Sequence, residues 1–221
     1  NIASAINSTV AGGQGNTASG GYSFSVGRGN VSSGQYSGIG GGFSNNVSGS
    51  FGHIGGGGFN VVSNSAAVVA GGSSNTASGN ASAVGGGYLN IASGTRAVVA
   101  GGSRNTASGS NSSILGGSGN TVSGLYSAIV AGSGITATQD NTAYVPFLNI
   151  QSATTDNTIN NILVKDATGK VFVRDASSIS GSGGGTFTGG TVTGATNFTA
   201  GLSANTFSAT TYLNLPTDTS S

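Results

Sequence analysis

Few residues of this chain have the type and spacing that catalysis or cofactor binding requires. A loose dinucleotide-binding fingerprint occurs at residues 13–18 and, with Val in the last place, at residues 117–122. Such a loop must open a helix whose N-terminus receives the pyrophosphate, but both segments belong to a repeat without helical periodicity. Gly169-Lys170 lacks the upstream Gly and the following Ser or Thr of a phosphate-binding loop. The sequence therefore predicts no nucleotide cofactor.

The titratable side chains are equally sparse. His53 is the only histidine and fills a repeat position held elsewhere by Val68 and Val98, so we interpret it as a strand residue. The alternative is an ion held on a symmetry axis by His53 and its copies in other chains.

The carboxylates do not suggest a hydrolase. Glycoside hydrolysis requires two neighbouring carboxylates. The acids are Asp140, Asp156, Asp166, Asp175 and Asp218. Turn and cap roles account for the first four. We expect no catalytic residue, no metal site and no cofactor, and the chain is not predicted to be an enzyme.

Composition limits the possible partners. Charged residues make up 5% of the chain, and residues 1–139 contain Arg28, Arg96 and Arg104 but no acid. Arginines this scattered form no basic stripe, so nucleic acid is not an expected partner. The chain has no Cys, which excludes disulfides. It also has no apolar run of about 18 residues, so no membrane span is predicted.

A short unit repeats along the first two thirds of the chain and must position any functional side chain. Each unit reads roughly Asn-Thr-Ala-Ser-Gly-x-x-Ser-Ala-Val-x-Gly-Gly-x-x, a period of 15 residues, and the second unit is one residue shorter. The repeated Asn occurs at Asn16, Asn30, Asn45, Asn60, Asn75, Asn90, Asn105 and Asn120. Ile135 takes its place in the last unit. A fixed period this short indicates one turn of a solenoid per unit.

Each unit contains two short segments with strand character. They are Thr-Ala-Ser and an apolar stretch such as residues 97–100, and a pair of glycines follows the second. Glycine adopts positive φ without steric cost, so we predict corners at Gly72, Gly87, Gly102 and Gly117. The sequence thus predicts an all-β fold, with a parallel β-roll of ten coils over residues 1–138. At ~4.8 Å per coil, the stack would be roughly 45–50 Å long.

The repeated asparagines are predicted to form a structural ladder along one corner. Their side-chain amides would bond up and down the stack, which satisfies buried polar groups and fixes the register. The alternative is that these amides bind a ligand such as a sugar.

The narrow core of Ala, Val and Ile predicts self-association. Bulkier residues recur at a second site, as Tyr22, Tyr36, Phe51 and Tyr126. A second, partly apolar surface suggests that the coils pack on other copies of the chain. A cyclic homotrimer would bury that surface and leave hydroxyl groups outside.

The repeat resembles that of a known protein family. The pattern Asn-x-Ala-Ser-Gly…Ser-Ala-Val-x-Gly-Gly is similar to the head repeats of trimeric autotransporter adhesins of the YadA type, over about residues 1–138. The resemblance implies a left-handed parallel β-roll that trimerises. This chain departs from the adhesin heads in its longer, Gly-Gly-rich units and in lacking their Ala-Ile-Gly motif.

The sequence after the repeat follows a different pattern. Residues 139–179 are predicted to be a β-hairpin connector in which Ile162–Lys165 and Lys170–Arg174 flank a turn at residues 166–169. Residues 180–185 are rich in Gly and Ser and are expected to form a joint. Residues 186–221, which include Gly-Gly-Thr-Val-Thr-Gly-Ala-Thr, resemble the thin segments of phage tail-fibre and virion proteins. That resemblance implies three chains interwound around one axis.

The resemblances imply a structural fibre of a bacteriophage tail or virion that extends or presents a host-receptor-binding tip. The expected partners are two further copies of the chain, other fibre or virion proteins, and a host cell-surface receptor such as a glycan. The expected location is the virion. The first alternative is a trimeric autotransporter-type adhesin on the bacterial surface, and a weaker one is a polysaccharide-degrading spike that would depend on Asp140 or Asp156.

A further alternative is a solenoid that binds ice or another regular surface. It would need an unbroken array of threonines along one face. The array formed by Thr17, Thr76, Thr106 and Thr121 is interrupted by Val31, Asn46, Val61 and Ile91.

Overall fold

The repeat folds as a stack of coils, each built from two short strands. The structure, a computed structural model, describes residues 1–146, 161–165 and 171–175. All regular elements within these ranges are β-strands. The predicted all-β class is confirmed, and so is the parallel solenoid of about ten coils.

The strands alternate between two sheets along the chain. In chain order they are β1 (Ile2–Ala3), β2 (Thr9–Gln14), β3 (Thr17–Ala18), β4 (Phe24–Arg28), β5 (Val31–Ser32), β6 (Gly38–Ile39), β7 (Asn46–Val47), β8 (His53–Ile54), β9 (Val61–Val62), β10 (Val68–Val69), β11 (Thr76–Ala77), β12 (Ala83–Val84), β13 (Ile91–Ala92), β14 (Val98–Val99), β15 (Thr106–Ala107), β16 (Ser113–Ile114), β17 (Thr121–Val122), β18 (Ala128–Ile129), β19 (Thr136–Ala137) and β20 (Ala143–Tyr144). The odd-numbered strands form sheet A and the even-numbered strands form sheet B, each with 10 parallel strands.

Every strand pairs with its equivalent one coil later. Thr76 lies opposite Ile91 in sheet A, and Ala83 lies opposite Val98 in sheet B. We number the positions of a coil from the repeated Asn as position 1, so that sheet A holds positions 2 and 3 and sheet B holds positions 9 and 10. A third column of isolated parallel bridges runs through position 14, as from Tyr88 to Ser103.

The core lies between the two sheets and follows from the alternation of side chains along a strand. Position 3 of sheet A and position 10 of sheet B point inward, whereas positions 2 and 9 point outward. Sheet A mostly contributes small residues and sheet B larger ones, as with Ala107 and Ile114, both fully buried. Each buried Val or Ile stabilises the fold by about 1.5–3 kcal/mol, so the stability of the stack grows with the number of coils.

The short second unit is accommodated without breaking the stack. Between β2 and β4 the register shifts between Val10 and Gly12, so Ala11 has no counterpart in the next coil. The missing residue therefore belongs to position 11, on the outside of sheet B. The next ladder residue keeps its bonds, because the Asn30 backbone nitrogen still donates to Asn16 Oδ1 at 3.1 Å.

Two corners of the coil hold non-glycine residues in the left-handed region, which the sequence did not reveal. At position 7, φ lies between 53° and 58° at Asn7, Tyr22, Tyr36, Phe51, Ala66, Ala81, Arg96, Asn111, Tyr126 and Asn141. At position 15 the same range holds at Ser44, Phe59, Ser74, Leu89 and Arg104. The stack stabilises this strained conformation, because from the second coil onward each such N–H is bonded to the preceding coil. Ala81 donates to the Ser65 carbonyl, and Arg104 to that of Tyr88, both at 2.9 Å.

A separate antiparallel pair lies in the second compact unit of the chain, residues 152–221. Strands β21 (Asn161–Lys165) and β22 (Val171–Asp175) pair with Leu163 opposite Val173. They correspond to the two strands predicted for the hairpin. Strand β21 begins one residue earlier than predicted, and strand β22 is shifted by one residue along the chain. The predicted turn at residues 166–169, the joint at residues 180–185 and the fibre segment at residues 186–221 lie outside the described residues.

Candidate interaction surfaces

The repeated asparagines are buried and bonded to the backbone. The Asn90 side-chain nitrogen donates to the Gly86 and Gly102 carbonyls, both at 2.9 Å. Its side-chain oxygen accepts from the Asn105 backbone nitrogen at 3.0 Å. The side chains therefore fix one coil against the next through the backbone. Among the described residues a direct amide–amide bond occurs once, from Asn16 to Asn1 at 3.3 Å.

The same arrangement repeats along the corner. The buried members, with 0–1% exposure, are Asn16, Asn30, Asn45, Asn60, Asn75, Asn90, Asn105 and Asn120. Since both ends of these amides are occupied inside the stack, a sugar could not reach them from solvent.

The glycines at position 13 surround the asparagine amides. Gly72, Gly87, Gly102 and Gly117 have φ of 82°, 90°, 94° and 99°. A Cβ on Gly102 would collide with the Gly117 carbonyl oxygen and approach Asn105 Nδ2. Glycine is therefore required at this corner both for its backbone conformation and for the close approach of consecutive coils.

The residues considered for chemistry lie apart from each other. His53 is exposed on the outside of β8, where the ring of Phe24 is 6.2 Å away between centroids. The Asp140 carboxylate accepts a hydrogen bond from the Leu125 backbone nitrogen at 2.8 Å, which is a capping role. Asp156 and Asp166 lie outside the described residues. Both fingerprint segments lie in the coils and neither opens a helix.

Two negative findings apply to the described ranges. No group of three or more His, Cys, Asp or Glu side chains is close enough there to hold a metal ion. In the same part of the chain, no helix has the length and hydropathy needed to cross a membrane.

A pocket of about 420 Å³ lies in the last coils of the stack. It is lined by Gly132, Ser133, Ile135, Tyr144, Val145 and Pro146. Its walls carry no ionisable group apart from the tyrosine, so it offers no set of groups for acid–base chemistry.

The outside of sheet B is apolar. We call it the apolar face and define it from the fourth coil onward by positions 9 and 11: His53, Val68, Ala83, Val98, Ser113, Ala128, Ala143, Gly55, Ala70, Gly85, Ala100, Leu115, Val130 and Val145. Its larger side chains stay in solvent in the single chain, with Val98 40% and Leu115 56% exposed. Exposed apolar surface of this kind is a feature shared by protein–protein, membrane and ligand contacts.

The outside of sheet A differs in chemistry. We call it the hydroxyl face and define it by positions 2 and 4: Ile2, Thr17, Val31, Asn46, Val61, Thr76, Ile91, Thr106, Thr121, Thr136, Ser4, Ser19, Ser33, Ser48, Ser63, Ser78, Ser93, Ser108, Ser123 and Thr138. None of these residues is buried, charged or aromatic.

The bulky residues expected on a second packing surface lie on a corner instead. They occupy position 7, where Tyr22, Tyr36 and Phe51 stack with ring centroids 4.9 and 5.0 Å apart. The rings remain exposed, Phe51 by 60%. Sequence reasoning identified this column but placed it on a face, because nothing in its residue types indicates a left-handed corner.

No protein-family model matches this chain, and no curated protein matches it either. A proposal for its function therefore rests on the geometry of the coil stack and on its two unlike faces.

Proposed function

We propose that the chain is a non-enzymatic segment of a homotrimeric fibre of a bacteriophage tail or virion, which extends or presents a host-receptor-binding tip. The observation that carries the proposal is the stack of about ten parallel coils, with one apolar and one hydroxyl face. A stack of repeated coils holds whatever is attached to its ends at a fixed separation.

The apolar face supports self-association. Its residues alternate with the buried ones along sheet B, so packing against other copies would cover them without changing the fold. A closed threefold arrangement gives each chain the same environment and leaves no apolar face uncovered. The hydroxyl face would then remain outside, where other virion proteins or a receptor could approach.

The ladder supports a stiff rod. Every coil is fixed to the next by strand pairing, by the bridge column at position 14 and by the buried asparagines. Bending would break several of these hydrogen bonds together. We therefore expect the rod to keep its length when it is loaded at one end.

The native mass tests the trimer. Light scattering after size exclusion is expected to give three chains for the natural protein, and Val98→Arg is expected to shift it towards single chains. Three guanidinium groups would otherwise be buried near one axis, which is strongly unfavourable. Asn80→Arg, on an exposed corner, is the matched control and should stay trimeric. A folded natural protein that elutes as a monomer would contradict the proposal.

The location of the protein separates the two fibre hypotheses. An antibody against the coils should label purified virions if the chain is a tail or virion fibre. Labelling of bacterial envelopes in the absence of phage would favour the adhesin instead. The degrading spike predicts loss of polysaccharide cleavage in Asp140→Asn, whereas the fibre predicts no cleavage by the natural protein.

A further inference from the structure

We infer that the hydroxyl face binds the surface of ice. The face consists of two columns of outward side chains, one at position 2 of sheet A and one at position 4, the residue after each strand, and both columns run from the coil of β1 to the coil of β19. Neighbouring coils are ~4.8 Å apart, and the two columns are about 6.6 Å apart along the strand. A crystal face of ice likewise presents parallel rows of equally spaced water oxygens.

The column at position 2 is continuous in its methyl groups. Thr, Val and Ile all carry a γ-methyl on a branched Cβ, and one of the three occupies position 2 in every coil except at Asn46. Val and Ile thus interrupt the row of hydroxyl groups at position 2, but only Asn46 interrupts the row of γ-methyl groups. Because branching restricts χ1, these methyls are held in a regular row.

Strand propensity alone does not explain this regularity. Position 9 is the equivalent outward position of sheet B, yet it is filled by Phe24, Gly38, His53, Ala83 and Ser113 among others. Both positions have the same parallel pairing in the same stack. A requirement for β-forming residues would act on both columns, but only position 2 keeps the branched methyl.

The hydroxyl groups of the face are available to water. In the described chain no threonine hydroxyl at position 2 bonds to a protein atom. At position 4 only Ser33 and Ser108 reach a carbonyl, at 3.4 and 3.2 Å. The methyl groups form no hydrogen bonds, so the adjoining water molecules bond to one another. The hydroxyl groups hydrogen-bond to that water and hold it at evenly spaced positions.

The electrostatics of the face match an uncharged lattice. None of its twenty positions carries a charge, and Arg96 and Arg104 lie on the corners at positions 7 and 15. An exposed protein surface of this length ordinarily carries charges of both signs. The scarcity of charge extends to the whole repeat and is compatible with a partner that is itself neutral and built of water.

Partition into growing ice tests the inference. The natural protein is expected to be incorporated into a slowly growing ice front and to inhibit recrystallisation. Thr106→Arg, in the centre of the face, should lower the partition ratio about tenfold, equivalent to about 1.4 kcal/mol. The matched control is Asn111→Arg, which places an arginine on a corner where the preceding coil already carries Arg96, and it should partition like the natural protein.

Two milder variants keep the test decisive if Thr106→Arg does not fold. Thr106→Val retains the methyl and should keep most of the ice binding, whereas Thr106→Ser removes the methyl and should lose more of it. Exclusion of the natural protein from ice would overturn the inference. So would adsorption to crystalline cellulose without partition into ice. The result is independent of the number of chains in the particle, so it can fail without affecting the proposed fibre.

Discussion

At the scale of single residues, the asparagine at position 1 is the most consequential side chain of the coil. It joins three backbone groups of neighbouring coils and is itself inaccessible to solvent. A substitution therefore leaves buried backbone groups without partners, and this costs more than the loss of one average hydrogen bond.

Asn90→Ala is expected to lower the free energy of unfolding by about 3 kcal/mol, because the Asn105 N–H and two glycine carbonyls lose their partner. Asn80→Ala is the matched control, since Asn80 is exposed and its side chain makes no hydrogen bond within the described residues. Urea titration followed by circular dichroism measures both. Equal stability of the two variants would show that the ladder contributes nothing.

At the scale of the elements, the two left-handed corners define the shape of the coil. A residue with a side chain pays a steric penalty in this region that glycine does not. Ala66 and Ala81 have φ of 54° and 53°, so the coil holds them in the strained region through its own hydrogen bonds.

Ala81→Gly is therefore expected to stabilise the stack by about 0.5–1 kcal/mol, as the steric relief exceeds the added entropy of the unfolded chain. The same substitution two residues later, Ala83→Gly in β12, should destabilise it by a similar amount, because glycine weakens a strand. Thermal unfolding of the two variants gives the comparison. A loss of stability in Ala81→Gly would contradict the argument.

The strands could be predicted from the sequence, whereas one of the corners could not. The period, the alternation in Thr-Ala-Ser and the glycine pairs predicted two sheets of parallel strands, because these signals are local and repeat ten times. The corner at position 7 could not be predicted, because Tyr, Arg and Ala have no preference for positive φ and adopt it only under the constraint of neighbouring coils. The backbone partners of the asparagines were missed for a similar reason, since they depend on where consecutive corners lie in space.

At the scale of the whole molecule, the stack is a sum of nearly equivalent layers, and stability should follow the number of layers. Excision of residues 90–104 removes one complete coil and joins Leu89 to Asn105, which restores the natural sequence of positions. We expect this variant to fold, with a lower melting temperature. Excision of residues 90–97 removes half a coil and misaligns both sheets, so it should lose the cooperative transition. Calorimetry distinguishes the two outcomes, and equal melting of both variants would rule out coil-by-coil additivity.

The ladder also bears on chemical ageing. An asparagine deamidates when the peptide nitrogen of the next residue attacks its side-chain carbonyl. In the ladder that nitrogen is engaged elsewhere, as the Thr76 N–H donates to the Asn90 carbonyl at 2.8 Å. At the exposed Asn64, the Ser65 N–H is also engaged, since it donates to the Asn64 side-chain oxygen at 2.8 Å. The buried column should therefore keep its amides during long storage in solution.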